Sequence, residues 1–189
     1  GGFHNGLPAV AYYDSVNTVL KAAFMSGAAW SVVTLDERGG RFPSLSTADN
    51  NIAIAYASAD GKSRFYLGPN VARDAARISV IDDGVRDPAK DGIAITGADM
   101  SLISLGSGNY YVGYQDQTAG DLVIRKRDTA TGKWNTVMTA GKGESLGYYT
   151  RLTVADGKGY AIHVHSKTIM ASGGPGIRNS LRLDMFNAP

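Results

Sequence analysis

Two well-separated stretches of this chain repeat one another landmark for landmark. Val10-Ala11-Tyr12-Tyr13-Asp14 aligns with Val112-Gly113-Tyr114-Gln115-Asp116, and in each copy a leucine, Leu20 or Leu122, follows the aspartate by six residues. After a further turn, Trp30-Ser31-Val32-Val33-Thr34 falls into step with Trp134-Asn135-Thr136-Val137-Met138-Thr139. A repeated supersecondary unit cannot bury its apolar surface alone and does so by stacking on copies of itself, which narrows the fold more than any single motif.

Two weaker copies extend the pattern. One is Ile54-Ala55-Tyr56-Ala57-Ser58, followed by Arg64-Phe65-Tyr66-Leu67 and Ile78-Ser79-Val80-Ile81; the other is Ile162-His163-Val164-His165-Ser166, followed by Leu181-Arg182-Leu183. Tyr12, Tyr56, Tyr114 and Val164 are then 44, 58 and 50 residues apart, the length of a four-stranded propeller blade. The runs Pro43–Thr47, Met100–Ser104 and Thr150–Val154 precede three of the units and are expected to be their innermost strands. Gly2-Phe3-His4 could supply only a stub of the same kind, and the last unit reaches Phe186 without an outermost strand. The expectation is an all-β chain, a β-propeller of four-stranded antiparallel blades. About four blades are represented, in units near 1–40, 41–84, 98–141 and 148–189, and the ring is incomplete.

Composition agrees. The 24 glycines, with Asp and Asn, punctuate short runs of Val, Ile, Tyr and Ala, as tight turns between strands do. The best helical stretch, Val71–Ala76, is too short to count. With no cysteine, disulfides and thiolate metal sites are excluded. Nineteen basic against 17 acidic residues, net +2, leave no footprint for nucleic acid or an anionic membrane. No apolar run is long enough for membrane insertion. The residues from Gly1 to Gly6 lack a signal peptide's charged and apolar regions, so an exported protein would carry its signal upstream of Gly1.

On the Tyr-Tyr-Asp at Tyr12–Asp14 and the turn Asp128-Thr129-Ala130-Thr131-Gly132-Lys133-Trp134, the chain resembles bacterial exported propeller repeats and the Asp-box propellers of the sialidase-like group. Ser26–Trp30 is a degraded counterpart of that turn. The resemblance implies a structural role for the Asp and Gly, which shape the turn between third and fourth strands over a packed aromatic. It also implies an extracellular, periplasmic or cell-surface setting. Arg41-Phe42-Pro43 is similar to that group's Arg-Ile-Pro element, and Tyr149 with Arg151 lies near another innermost strand. These three, Arg41, Tyr149 and Arg151, are the expected ligand-binding residues. The remaining arginines, the acid and the Tyr-Glu pair of a sialidase-like hydrolase have no placed counterparts here.

Other residues invite chemistry. His163 and His165, two apart in a strand, share a face at a spacing that zinc ligands use. The insert bearing Asp82, Asp83, Asp87 and Asp91 could offer oxygen ligands, so calcium is the one cofactor considered. Gly61-Lys62-Ser63 fails as a phosphate loop because position 56 is Tyr56. Ala171–Gly176 reads as a loop, and Arg125-Lys126-Arg127 as ordinary blade surface. Tyr13, Tyr110, Tyr111, Tyr148 and Tyr149 could stack sugars where exposed. The sequence thus favours a binding or scaffolding module over an enzyme, recognising a protein or glycan through channel-mouth loops. A sialidase-like glycoside hydrolase and a structural part of a longer surface protein are the alternatives. Open ends would expose sheet faces, so another chain or fragment completing the propeller is an expected partner.

Overall fold

The computed structural model describes residues 1–87, 89, 92–141, 144–171 and 174–188, and it is built of consecutive antiparallel meanders. Blade 1 comprises β1 (Gly2–His4), β2 (Leu7–Asp14), β3 (Val19–Ser26) and β4 (Ala29–Asp36). Blade 2 comprises β5 (Gly39–Ala48), β6 (Asn51–Ser58), β7 (Ser63–Gly68) and β8 (Ile78–Asp82). Blade 3 comprises β9 (Thr96–Ser104), β10 (Tyr110–Asp116), β11 (Asp121–Arg127) and β12 (Trp134–Ala140). Blade 4 has three strands among the described residues: β13 (Ser145–Ala155), β14 (Lys158–Ala171) and β15 (Gly174–Asn187). The stub at Gly2–His4 is real, pairing with Leu7–Ala9. The stretch Val71–Ala76 forms no α-helix and contributes to a single 3-10 turn, Ala75–Arg77, capped by the Asp74 carboxylate. Blades 1 and 2 are linked by one parallel bridge, Val19 to Gly39. Gly39 adopts φ +106°, and a Cβ there would sit 2.6 Å from the Ala59 backbone nitrogen, so glycine is required where the chain crosses between blades.

Each blade packs face to face on the next, and the core therefore consists of three seams. Leu20, Ala22 and Leu35 of blade 1 meet Ile52, Ile54, Tyr56 and Tyr66 of blade 2. Ala53, Ala55, Phe65 and Ile81 meet Met100, Val112, Tyr114 and Trp134 at the second seam. Tyr111, Leu122 and Ile124 meet Leu152, Ala161 and Phe186 at the third. Fully burying such a side chain contributes about 1.5–3 kcal/mol, so the seams are the main stabilising surface. Trp134 closes the second seam edge-on to Phe65, ring centroids 5.1 Å apart. This is a β-propeller arrangement whose two outermost faces are uncovered. Val10, Trp30 and Val32 stand exposed on blade 1, and Ile162, Leu181, Leu183 and Met185 on blade 4.

A buried carboxylate spans each of the first two seams. Asp36, the last residue of blade 1, accepts the Tyr56 hydroxyl at 2.6 Å, and Asp82, the last of blade 2, accepts the Tyr114 hydroxyl at 2.5 Å. Arginines balance the charge: Arg38 lies 2.9 Å from Asp36, while Arg86 and Arg125 lie 2.9 and 3.0 Å from Asp82. Arg125 is therefore a tie between blades 2 and 3, not ordinary blade surface; its charge is drawn inward by Asp82 and its Nη1 donates to the Ile81 carbonyl. The third seam differs. Ala140 occupies the place of Asp36 and Asp82, and the register of β13 on β14 sets His163, rather than Val164, opposite the bulge that Tyr56 and Tyr114 face in their own blades. The tyrosine and its carboxylate are lost together. His163 turns to its own blade, accepting from the Gly147 N–H at Nδ1 and donating from Nε2 to Asp184 at 2.8 Å.

Burial pushes the Asp82 carboxyl up, but hydrogen bonds from Arg86, Tyr114 and the Gly84 N–H, with the Arg125 charge, outweigh it and hold the group below the ordinary range. The stability it contributes is whole above about pH 4 and drains as the pH falls through the lower folded value. Chemical denaturation from pH 7 down to pH 2 will show an acid limb that Asp82→Asn flattens. At neutral pH, Tyr114→Phe will cost about 1.5–3 kcal/mol in the same measurement, as expected for a buried hydrogen bond to a charged group. Tyr12→Phe, whose hydroxyl makes no hydrogen bond among the described residues, will cost less than about 0.5 kcal/mol.

Candidate functional site

The antiparallel order brings one set of connections to one end of every blade: the turns after β2, β6 and β10, and the crossings from blade to blade. Asp14 and Asp116 cap two of these turns. Asp14 accepts the Val16 and Asn17 N–H groups, each at 3.1 Å, and Asp116 those of Thr118 and Ala119, each at 3.0 Å. That is the physical content of the repeated Tyr-X-Asp landmark: the carboxylate supplies acceptors that the tight turn leaves unmet. Asp14 is further held well below the usual carboxylate range by the Lys21 ammonium and by Asn17.

At the same end, each of the three longer innermost strands carries a β-bulge. Phe42, Asp99 and Tyr149 take left-handed φ values of 52°, 50° and 54°, each beside a register shift. A non-glycine residue there costs about 1 kcal/mol or more, and recurrence at one position of three blades marks a built feature that re-aims side chains. Nothing in the apolar pattern announces it. The serine two residues after the bulge in blades 2 and 3 explains part of its support: Ser44 accepts the Leu102 N–H and Ser101 the Leu152 N–H, at 2.9 and 3.0 Å, pinning each innermost strand to the next.

A cavity of about 700 Å³ opens here across blades 1 to 3. Its lining includes Tyr13 from blade 1, Arg41, Phe42, Asp60 and Gly61 from blade 2, and Ile93, Ile95 and Gln117. The Arg41 guanidinium stands 5.8 Å from the centre of the Tyr13 ring, within cation–π range. Arg41 has no carboxylate partner among the described residues, so its charge is available to a ligand. Asp60 is committed instead: it accepts from the Ser58 hydroxyl and, at 2.7 Å, from Arg64. Partial burial raises its carboxyl, but the Ser58 and Arg64 hydrogen bonds and the Arg64 charge outweigh this and keep it below its ordinary value. The isoleucine wall is fixed by the Gln117 N–H to the Ile95 carbonyl and the Thr96 N–H to the Gly61 carbonyl, at 2.8 and 2.9 Å.

Of the residues singled out by sequence, Arg41 lines this cavity, whereas Tyr149 and Arg151 lie on β13 outside its lining. Tyr149 is exposed, and Arg151 donates to the Thr150 carbonyl at 2.7 Å. Tyr110 and Tyr111 are buried in the seams and offer no sugar platform. His163 is enclosed by Gly147 and Asp184, and His165 lies 3.1 Å from Glu144, so the two rings face different neighbours. Asp82 is held by Arg86, Arg125 and Tyr114, and Asp83 caps the Val85 N–H at 3.0 Å. Among the described residues no group of three or more His, Asp or Glu side chains is poised to hold a metal. Asp91, Ser172 and Gly173 lie outside the described residues. Among the described residues, no helix is long and apolar enough to cross a membrane.

No known family model matches the chain, and neither does any curated protein. Solved structures do. A mutant of AofleA from Arthrobotrys oligospora matches 92% of the chain at 16% identity with a TM-score of 0.52. A GH32 β-fructofuranosidase from Bombyx mori matches 98% at 10% identity and TM-score 0.55, and the NanB sialidase from Streptococcus pneumoniae 82% at 14% and 0.52. The chain spans 53%, 46% and 25% of those three structures. At such identities the likeness is one of fold, and it agrees with the β-propeller arrangement of the blades.

The Asp60–Arg64 pair can be read directly by carboxyl ¹³C chemical shifts across a pH titration. Asp60 will titrate below an ordinary aspartate, and Arg64→Leu will move it upward, since the charge and one hydrogen bond are removed while burial remains.

Proposed function

We propose that this chain is a glycan-binding module of the propeller type, and that it recognises an anionic sugar in the cavity around Arg41. The observation that carries this reading is the Arg41 guanidinium, without a carboxylate partner among the described residues, set over the Tyr13 ring in a cavity that Phe42 also lines. An aromatic face offers flat area to the C–H side of a sugar ring, and a planar guanidinium accepts a carboxylate or sulfate through two parallel hydrogen bonds. Gln117 adds an amide able to donate to and accept from hydroxyls. The similarity of Arg41-Phe42-Pro43 to an element of sialidase-like proteins supports the same class of ligand. The setting proposed is outside the cytoplasm: the periplasm, the medium or the cell surface.

Hydrolysis is the second reading, since the solved structures of like fold include glycoside hydrolases. Retaining and inverting hydrolysis use two carboxyl groups, one of them protonated at working pH. Asp60 is the one carboxylate among the described lining residues; its low pKa and Arg64 partner keep it ionised and unsuited to be the general acid, and no second carboxyl group stands beside it there to take that role. Binding is therefore favoured over turnover.

A glycan array followed by calorimetry tests the proposal. Sugars bearing a carboxylate or sulfate are expected to bind, and Arg41→Ala to weaken them by about tenfold or more, as loss of a charge-assisted hydrogen bond does. Neutral glycans are expected to be indifferent to the substitution. A fluorogenic glycoside panel should remain unconverted; turnover abolished by Asp60→Asn would replace this reading with the hydrolase.

A further inference from the structure

The uncovered face of blade 1 is the duplicate of a face that elsewhere is buried. Matching strand registers make Val10, Tyr12 and Trp30 equivalent to Val112, Tyr114 and Trp134, the residues with which blade 3 meets blade 2. Trp134 is 8% exposed and Trp30 50%. Tyr114 reaches back to Asp82, at the end of the preceding outermost strand, as Tyr56 reaches back to Asp36. Where the acceptor position holds Ala140, the tyrosine is replaced by His163, which finds its partner inside its own blade. Within this chain the hydroxyl and the carboxylate are kept or lost as a pair. Tyr12 keeps the hydroxyl, and its acceptor is not among the described residues.

From this we infer that the open face of blade 1 seats one further four-stranded blade of the same polypeptide, whose outermost strand ends in a carboxylate that accepts the Tyr12 hydroxyl. In both intact ties the carboxylate comes from the neighbour on the tyrosine side of the blade, so the missing partner stands on the side of blade 1 away from blade 2, a place that either end of a longer polypeptide could fill. An aromatic or large aliphatic side chain on its third strand, in the place Phe65 holds, would meet the Trp30 edge. A second copy of this chain does not supply these groups. Its open face on blade 4 is apolar, through Leu181, Leu183 and Met185, but among the described residues that blade has no fourth strand to bear the carboxylate. The inference is independent of the glycan reading, because Arg41 lines the cavity at the turn end of the blades, while Tyr12 belongs to the blade face.

The chain itself provides a probe blade. Residues 39–101 placed ahead of Gly1 carry Asp82 and continue the innermost strand in register, because Gly2 pairs with Ala9 as Ile103 pairs with Tyr111. This segment has no tryptophan, so in a Trp134→Phe background Trp30 reports alone. Acrylamide quenching of Trp30 should fall about sixfold in the extended chain, matching the 50% and 8% exposures of the two equivalent positions. In the extended chain Tyr12→Phe should shift the unfolding equilibrium about tenfold towards the unfolded state, while in the 189-residue chain it leaves that equilibrium nearly unchanged. Trp30 left as accessible as before in the extended chain would overturn the inference. So would a dimer of the 189-residue chain, by sedimentation, in which Trp30 is already protected.

Discussion

A carboxylate buried at the end of an outermost strand is tolerable only if the next blade satisfies it. Desolvating such a group without partners costs several kcal/mol, and Asp36 and Asp82 avoid that cost through Tyr56 and Tyr114 together with their arginines. The first two seams are thereby fixed in angle and register as well as held together. Arg86 extends the second tie to Asp116 at 2.6 Å, so the cap of the turn after β10 belongs to the same network. Gln117, next in sequence, then anchors Ile95 in the cavity wall. Seam and cavity are one connected piece of structure.

The architecture was largely legible because it rests on features that a sequence displays: alternating apolar strands, turn residues and recurring Tyr, Leu and Trp. Where copies diverged, legibility failed. Spacing alone aligned Val164 with Tyr114, while the bulge in β13 gives that place to His163, a shift of one residue that no composition reveals. Arg125 read as surface because its partner, Asp82, lies far away in sequence and across a seam. The acidic insert looked like a cation site for the same reason, its first carboxylate already being claimed by arginines.

Of the candidate site, Arg41 was visible through its neighbours Phe42 and Pro43, but its companions were not. Tyr13, Asp60, Ile95 and Gln117 come from three blades and converge only after the meanders stack. Tyr149 and Arg151 sit in the strand corresponding to that of Arg41, two blades further on, which is why local sequence suggested them and the three-dimensional arrangement separates them.

The left-handed bulges have a consequence for how such a scaffold changes. Arg41-Phe42, Ala98-Asp99 and Tyr148-Tyr149 begin and occupy the bulges of three successive innermost strands. Phe42, Asp99 and Tyr149 stand outside the ladder's regular pairing, so their side chains can be rewritten with little effect on the buried faces. Selection can therefore give one framework a new clientele by altering a few letters around its rim while the layers beneath stay as they are.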